Sequence, residues 1–477
     1  MKITPVKGTN DYLPAQAELR DYLQRKICET YENCGFQRIF TPILEDIENL
    51  DKSEGGENLN LIFKVMKRGD KLKKAMEAGQ ESQLADMGLR YDLTLPLSRY
   101  YANNRAHLPN PFKVIQIDKV YRAERPQKGR LREFMQCDID ILGSESPSCE
   151  IELIHTTAKA LLNIGIDNFK IKINDKRVLK DILLTTGFKE EDLDSVCISF
   201  DKLNKIKAEG VARELTEKGF DEKVIADFME LIGNAPFTLD YVRTISNNKD
   251  YIDSLANIID ISNRLAGDSY SVEYDMTLVR GQGYYTGTVF EIESLDFNSS
   301  IAGGGRYDNL IGKFVKEQVP AVGFSIGFER IFSILSERQA KLADKPEKVV
   351  LLYDEDQIEQ AIIRAEELRG QYTTALYVKP KKLGKFLNRL EEPVTFLGDG
   401  VPVFRKRLVT EIMPESDLHF APASMNRQRA ASVGSLAIRY YEEGKMETAV
   451  EHQPDYLRVS QAERERAERE RAKQEAR

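Results

Sequence analysis

The chain has 477 residues, 41% hydrophobic and 31% charged, with a formal net charge of −8. That length allows about two to four domains, and the acidic balance excludes a protein whose whole surface grips nucleic acid, leaving at most a local basic patch. No apolar run nears the roughly 18 residues of a membrane span, and the start MKITPVKGTNDYLP lacks a signal-peptide core; the cytoplasm is the expected compartment, with neither membrane nor DNA as a partner.

Apolar residues at helical spacing (Leu19, Leu23, Ile27, Tyr31) predict a first helix over Ala15 to Asn33, followed by a strand at Phe36 to Phe40. Residues 52–85 read as a polar, irregular excursion around a short strand at Leu61 to Met66. Leu89 to Thr94 and a hairpin over Phe112 to Gly143 complete a first block. From Asp167 to Ala266 a strand (Phe169 to Ile173) and several amphipathic helices suggest an inserted helical module. Strands return at Tyr274 to Val279 and Thr288 to Ser294, then a glycine run at Gly303 to Gly305, then a strand (Ala321 to Ile326) passing into a helix at Phe328. Residues 336–347 read as a charged linker. A small α/β unit follows, with strands Lys348 to Tyr353 and Thr374 to Val378 around a helix at Gln357 to Arg369, and a second helix at Lys382 to Glu392. Five cysteines (Cys28, Cys34, Cys137, Cys149, Cys197) form no CxxC pair and the four histidines are scattered, so reduced thiols and no metal site are expected.

The hairpin carries the strongest functional signal. Period-two alternation sends Leu131, Met135, Cys137, Ile139 and Ile141 to one side of its second strand, and Arg132, Phe134, Gln136, Asp138 and Asp140 to the other. Gln116, Asp118, Arg122 and Glu124 share a face of the first strand. Such a surface is costly to bury without partners, and a small charged ligand is the expected one. The connecting loop, Glu124 to Arg130, holds Arg125, Lys128 and Arg130 and could clamp a triphosphate through charge-assisted bonds. A solvated charged hairpin is the ordinary reading of a basic loop, and the polar strand faces weigh against it. Arg330, in the first turn of its helix, opposes the helix dipole by about 0.3–1 kcal/mol; a bound anion or a pairing with Glu329 would each relieve that. Tyr284 and Tyr285 in isolation read as strand-end tyrosines packing in a core, and the flanking Arg280 and three glycines weigh against that reading. There is no GxxxxGK[ST] loop, and the glycines of 280–287 lack dinucleotide-binding spacing and are followed by strand-forming residues.

The hairpin resembles motif 2 of the class II aminoacyl-tRNA synthetases, and GFSIGFER (Gly323 to Arg330) resembles motif 3. KGTNDYLP (Lys7 to Pro14), LRYDLTLP (Leu89 to Pro96), RGQGYYTGTVFE (Arg280 to Glu291) and GGGRYDNL (Gly303 to Leu310) are similar to histidyl-tRNA synthetases, over about residues 1–392. The resemblance implies an α+β fold: an antiparallel class II sheet with flanking helices, a helical insertion at about 167–266 within a catalytic domain of residues 1–335, and an α/β anticodon-binding-like domain, here truncated to 348–392. It implies ATP-dependent formation of histidyl-adenylate and transfer to tRNA(His), with Mg2+ on the pyrophosphate and a homodimeric assembly. By the same resemblance Arg122 and Arg280 are catalytic at the α-phosphate, Phe134 and Arg330 sandwich the adenine, Arg130 reaches the outer phosphates and Glu124 meets the adenine side. For histidine, Asp92 and Thr94 take the amino group, Gln136 the carboxylate, and Asp140 with Tyr284 or Tyr285 the imidazole, beside Arg280. The family commonly has Leu-Asp where this chain has Gln282-Gly283. The alternative the resemblance leaves open is the non-catalytic regulatory subunit of ATP phosphoribosyltransferase, which usually lacks the catalytic arginines.

After Glu392 the resemblance changes. PVTFLGDGVPVFRKRL (Pro393 to Leu408), NRQRAASVGSLAIRYYEEG (Asn426 to Gly444) and PDYLRVSQAERERAERE (Pro454 to Glu470) resemble the C-terminal part of the TsaB protein of tRNA threonylcarbamoyladenosine modification, without that protein's nucleotide-binding half. The expectation is a chain fused near Glu392, ending in a solvated helix whose Glu and Arg balance at pairs such as Glu465 and Arg469.

Overall fold

Strand alternation decides how the molecule is layered. The computed structural model describes residues 2–51, 61–79, 83–126, 131–233, 238–280, 284–297, 299–338, 348–353, 358–369, 373–378, 394–396, 405–406 and 418–420. Cα packing divides the chain into two units, Met1–Ala343 and Asp344–Arg477.

In the first unit an eight-stranded sheet runs in the spatial order Gln37–Arg38, Phe112–Tyr121, Glu133–Leu142, Ala321–Gly327, Ser299–Arg306, Thr288–Ser294, Phe169–Asp175, Ser271–Tyr274. The inner pairings are antiparallel, and the outermost pair at each edge is parallel. On one face Ile115, Ile117, Cys137, Ile139 and Ile141 meet Leu23, Ile27 and Tyr31 of the helix Pro14–Asn33 and Leu153 and Leu161 of the helix Ser148–Asn163, forming the largest buried core. The parity read from the sequence is found from Phe134 to Ile141, whereas Leu131, before the strand, lines the cavity and not the core. The opposite face carries the polar residues, and beside them Phe112, Val114 and Leu142 pack with Leu97, Leu310 and Ile311 in a separate core. Between the sheet's last strands, residues 176–266 form a helical module with its own core around Leu179, Phe200, Val211 and Phe228.

Several expectations are corrected. The stretch 52–85 contains a helix, Gly69–Glu77, and its strand is shorter, Lys64–Met66. That strand joins Leu44–Asp46 and Ala85–Leu89 in a three-stranded sheet. The helix carries only a short apolar stripe, Leu72, Ala75 and Met76, within nine residues of a highly charged stretch, and only Ala75 is buried. A helix at Thr94–Asn104 was also not anticipated; Pro96 sits in its first turn, where an N–H has no intrahelical partner to lose. The strand expected at Tyr274 to Val279 is instead Ser271–Tyr274, because Asp275 turns the chain by accepting from the amide and hydroxyl of Thr277 at 2.9 and 2.6 Å. The glycine run, given no element from the sequence, lies within the strand Ser299–Arg306. The strand at Phe36 to Phe40 shrinks to Gln37–Arg38.

In the second unit Lys348–Tyr353 pairs in parallel with Thr373–Val378, and the helix Ile358–Leu368 lies between them in sequence. Val394–Phe396 pairs in parallel with Leu418–Phe420. Of the linker expected at 336–347, Ser336 and Glu337 instead end the helix Phe328–Glu337, while 339–347, the helix expected at Lys382 to Glu392 and the charged tail lie outside the described residues.

Candidate active site

The polar sheet face is hollowed by glycine. Opposite Asp140, Asp138 and Gln136 on the strand Glu133–Leu142 stand Gly323, Ser325 and Gly327 of the neighbouring strand. A Cβ on Gly323 would lie 1.9 Å from Asp140 Oδ1, and one on Gly303 would lie 1.6 Å from an Arg280 guanidinium nitrogen. Small residues on the central strands thus clear the space that long polar side chains from their neighbours enter. The result is a cavity of about 430 Å3.

Every described residue assigned to the site from sequence lines this one cavity. Asp92 and Thr94 come from the turn into the helix Thr94–Asn104, and Arg122 and Glu124 from the base of the hairpin. Phe134, Gln136 and Asp140 line it from the strand Glu133–Leu142, and Arg280, Tyr284, Tyr285 and Arg330 complete the lining. Arg130, with 127–129 of the hairpin loop, lies outside the described residues, as do Gln282 and Gly283.

One group of lining residues is acidic and phenolic. Tyr307 donates its hydroxyl to Asp140 Oδ1 at 2.6 Å. Burial pushes the Asp140 carboxyl up to about 7; the Tyr307 bond opposes that rise and Asp92 adds to it. Asp92 accepts from the Leu95 amide at 3.1 Å, and burial pushes it up to about 6 against the pull of that bond and of Arg122. Asp138 is raised well above the ordinary carboxylate range, by burial first and by Asp140 second. Gln136 donates from Nε2 to Ser325 Oγ at 3.1 Å, while its buried Oε1 accepts no hydrogen bond among the described residues. Tyr284 and Tyr285 both pack and face the cavity: their ring centroids are 4.8 Å apart, and Tyr284 meets Tyr307 edge-on at 6.0 Å.

A second group is cationic and aromatic. Arg122 donates from Nε to the Tyr91 carbonyl at 3.1 Å, and its guanidinium carbon lies 5.0 Å from the Phe134 ring centroid. Arg280 adopts a left-handed backbone (φ 56°), donates to the Phe290 carbonyl at 3.1 Å and lies 3.5 Å from Glu291. Arg330 donates to the Ser300 carbonyl. The pairing of Arg330 with Glu329 left open by the sequence is not made, because Glu329 holds Arg20 through both oxygens at 2.6 and 2.7 Å. Among the described residues no group of three or more His, Cys, Asp or Glu could hold a metal ion.

The polar face of the first hairpin strand is a partial correction. Gln116 and Asp118 have partners within the fold: Gln116 donates to the Leu93 carbonyl at 2.9 Å, and Asp118 pairs at 2.7 Å with Arg90, a fully buried guanidinium that also reaches the carbonyls of Thr41 and Lys119. Their polarity builds a wall and does not face a ligand. Conversely, Tyr307 and Asp138 line the cavity and were not assigned to it. The signal for Asp138 was its parity with Gln136 and Asp140; that for Tyr307 was its place directly after the glycine run.

Comparison with known proteins is consistent with this geometry. The family model described as Histidyl-tRNA synthetase matches residues 8–331. The chain is 41% identical over 364 residues to the histidine–tRNA ligase of Leifsonia xyli subsp. xyli, covering 74% of this chain and 84% of that protein. It is 35% identical over 405 residues to the histidine–tRNA ligase of Cytophaga hutchinsonii, covering 81% and 89%. Among solved structures, histidyl-tRNA synthetase from Nostoc sp. PCC 7120 superposes with a TM-score of 0.67 at 26% identity, over 81% of this chain and 89% of that one. An ATP phosphoribosyltransferase regulatory subunit/histidyl-tRNA synthetase from Bacillus halodurans C, at 20% identity and a TM-score of 0.65 over 88% and 98%, shares the fold. With the family match spanning the sheet, the helical module and the cavity, the chain belongs to the histidyl-tRNA synthetase family.

Proposed function

We infer that the chain is a histidine–tRNA ligase that condenses histidine with ATP to histidyl-adenylate and pyrophosphate, then passes the histidyl group to tRNA(His). The observation that carries this is the lining of the cavity, which brings acids and phenols (Asp92, Asp140, Tyr284, Tyr307) together with guanidinium groups and an aromatic ring (Arg122, Arg280, Arg330, Phe134).

The acids and phenols suit a small cation-bearing ring. Asp140, held by Tyr307, accepts from one imidazole nitrogen while Tyr284 or Tyr285 meets the other edge; a site built on such bonds rejects amino acids lacking them. Asp92 and Thr94 take the amino group. The unpartnered Gln136 Oε1 is an acceptor, which assigns Gln136 to the ammonium in place of the carboxylate. Arg122 and Arg280 stabilise charge on the α-phosphate as the carboxylate attacks in line, and such preorganised cations do most of the work in phosphoryl chemistry. Phe134 and Arg330 enclose the adenine, with Glu124 at its edge and Arg130 assigned to the outer phosphates. Arg122 rests on Phe134 in the structure, so nucleotide binding must slide it toward the phosphate. Magnesium is assigned to the triphosphate, as part of the substrate.

Residues 1–335 are assigned as the catalytic domain and 348–392 as a partial anticodon-binding domain. Residues 393–477 are read as a fused segment similar to the end of TsaB, with no activity of its own. Homodimerisation and a cytoplasmic setting follow from the family reading; no helix among the described residues is long and apolar enough to cross a membrane. Histidine-dependent ATP–pyrophosphate exchange, followed by tRNA charging on the same preparation, tests the assignment. Exchange with weak charging is expected from an intact cavity and a shortened anticodon domain. Histidine binding with neither activity would point to the regulatory-subunit reading, against which the retention of Arg122, Arg280 and Arg330 counts.

A further inference from the structure

The KGTNDYLP run has no role in the mechanism above, yet it borders the nucleotide end of the cavity at two points. The Gly8 carbonyl accepts from the Arg132 amide at 2.7 Å, at the base of the hairpin. Gly8 has a φ of +90°, and a Cβ there would lie 2.8 Å from Pro126 in the hairpin loop. Four residues on, Tyr12 donates its hydroxyl to Glu329 Oε2 at 3.3 Å.

Glu329 gathers donors from three stretches of chain. Arg20, on the helix Pro14–Asn33, donates to Oε2 at 2.6 Å and to Oε1 at 2.7 Å. The Met135 amide, on the hairpin's second strand, donates to Oε1 at 3.1 Å. Each oxygen thus accepts twice. Arg20 is enclosed by the rings of Tyr12, Phe328 and Phe332, at 4.0, 4.8 and 5.0 Å from their centroids. The sequence neighbours of this carboxylate's contacts matter most: Met135 follows Phe134, and Glu329 precedes Arg330. One carboxylate therefore ties together the backbones that carry both walls of the adenine slot.

We propose that Glu329 is the positioning residue of the nucleotide site, setting the gap between Phe134 and Arg330 by holding the Met135 amide against Arg20 and Tyr12. The role rests on the reading of Phe134 and Arg330 as the adenine walls. A plain fold clamp would affect both substrates alike, or stability alone. A positioning role acts on the nucleotide selectively, because a stacking slot tolerates little displacement.

The test is pyrophosphate exchange with KM for ATP and for histidine measured separately, plus inhibition by inorganic tripolyphosphate, for the wild type, Glu329→Gln and Tyr12→Phe. Glu329→Gln is expected to raise KM for ATP about tenfold and Tyr12→Phe about two- to threefold, with KM for histidine within about twofold. Tripolyphosphate, which lacks the base, should inhibit all three equally. Both KM values rising together, or neither rising in a folded variant, would overturn the role. Should Glu329→Gln fail to fold, an unchanged KM for ATP in Tyr12→Phe overturns it alone. A wild type without exchange would instead overturn the nucleotide reading, and this role with it.

Discussion

A methyl group at Gly303 would sit 1.6 Å from the Arg280 guanidinium, the far end of a side chain and not backbone. Gly303→Ala should therefore displace Arg280 without unfolding the sheet: exchange falls about a hundredfold or more while the thermal midpoint barely moves. Near-normal exchange in that variant would show that the guanidinium's seat is not critical. The acids make a second prediction. Asp92 and Asp140 have folded-state values raised to about 6 and about 7, above the unfolded carboxylate. The stability they contribute is thus fully present below about pH 4 and lost as pH rises through about 6 to 7. The histidine-free protein should melt at lower temperature at about pH 8 than at about pH 5, and Asp140→Asn should flatten that fall; calorimetric scans across the window decide it. Residue roles were legible where alternation applied. Parity alone placed Phe134, Gln136, Asp138 and Asp140 on one face, but it could not tell that Gln116 and Asp118 would be claimed by Leu93 and Arg90, contacts between segments distant in sequence. Nor could it tell that Tyr307 would reach across to Asp140.

At the scale of elements, the strand end that carries Tyr307 is fixed by a buried ion pair. Arg306 meets Glu150 of the helix Ser148–Asn163 at 2.6 and 2.8 Å, with both side chains 5% exposed or less. Glu150→Gln leaves that guanidinium poorly compensated and should cost about 3–5 kcal/mol in denaturant unfolding. A loss below about 1 kcal/mol would mean that Asp308, 3.3 Å away, suffices as partner. Elements with strong periodicity, such as the helix Pro14–Asn33 and the strand Thr288–Ser294, were plain in the sequence. Elements with weak local signals were not: the helix Thr94–Asn104, and a strand with three consecutive glycines. Both border the cavity, where room for a ligand outweighs propensity.

At the scale of the whole molecule, the catalytic unit and the C-terminal unit pose different problems. Six motifs scattered from Lys7 to Arg330 line or border one cavity, and that convergence is invisible to any local reading of spacing; only the family resemblance tied them together. If residues 348–392 form a shortened anticodon-binding unit, exchange and charging should separate, with exchange robust and kcat/KM for tRNA depressed; equal vigour in both would remove the idea of a compromised tRNA grip. The most direct test of the central claim is the histidine-dependent incorporation of labelled pyrophosphate into ATP by the wild type and by Arg280→Ala at matched thermal stability. The account predicts exchange in the wild type, dependent on histidine, and loss of about a thousandfold in the variant. Exchange that survives the loss of Arg280, or that never appears in the folded wild type, would contradict it.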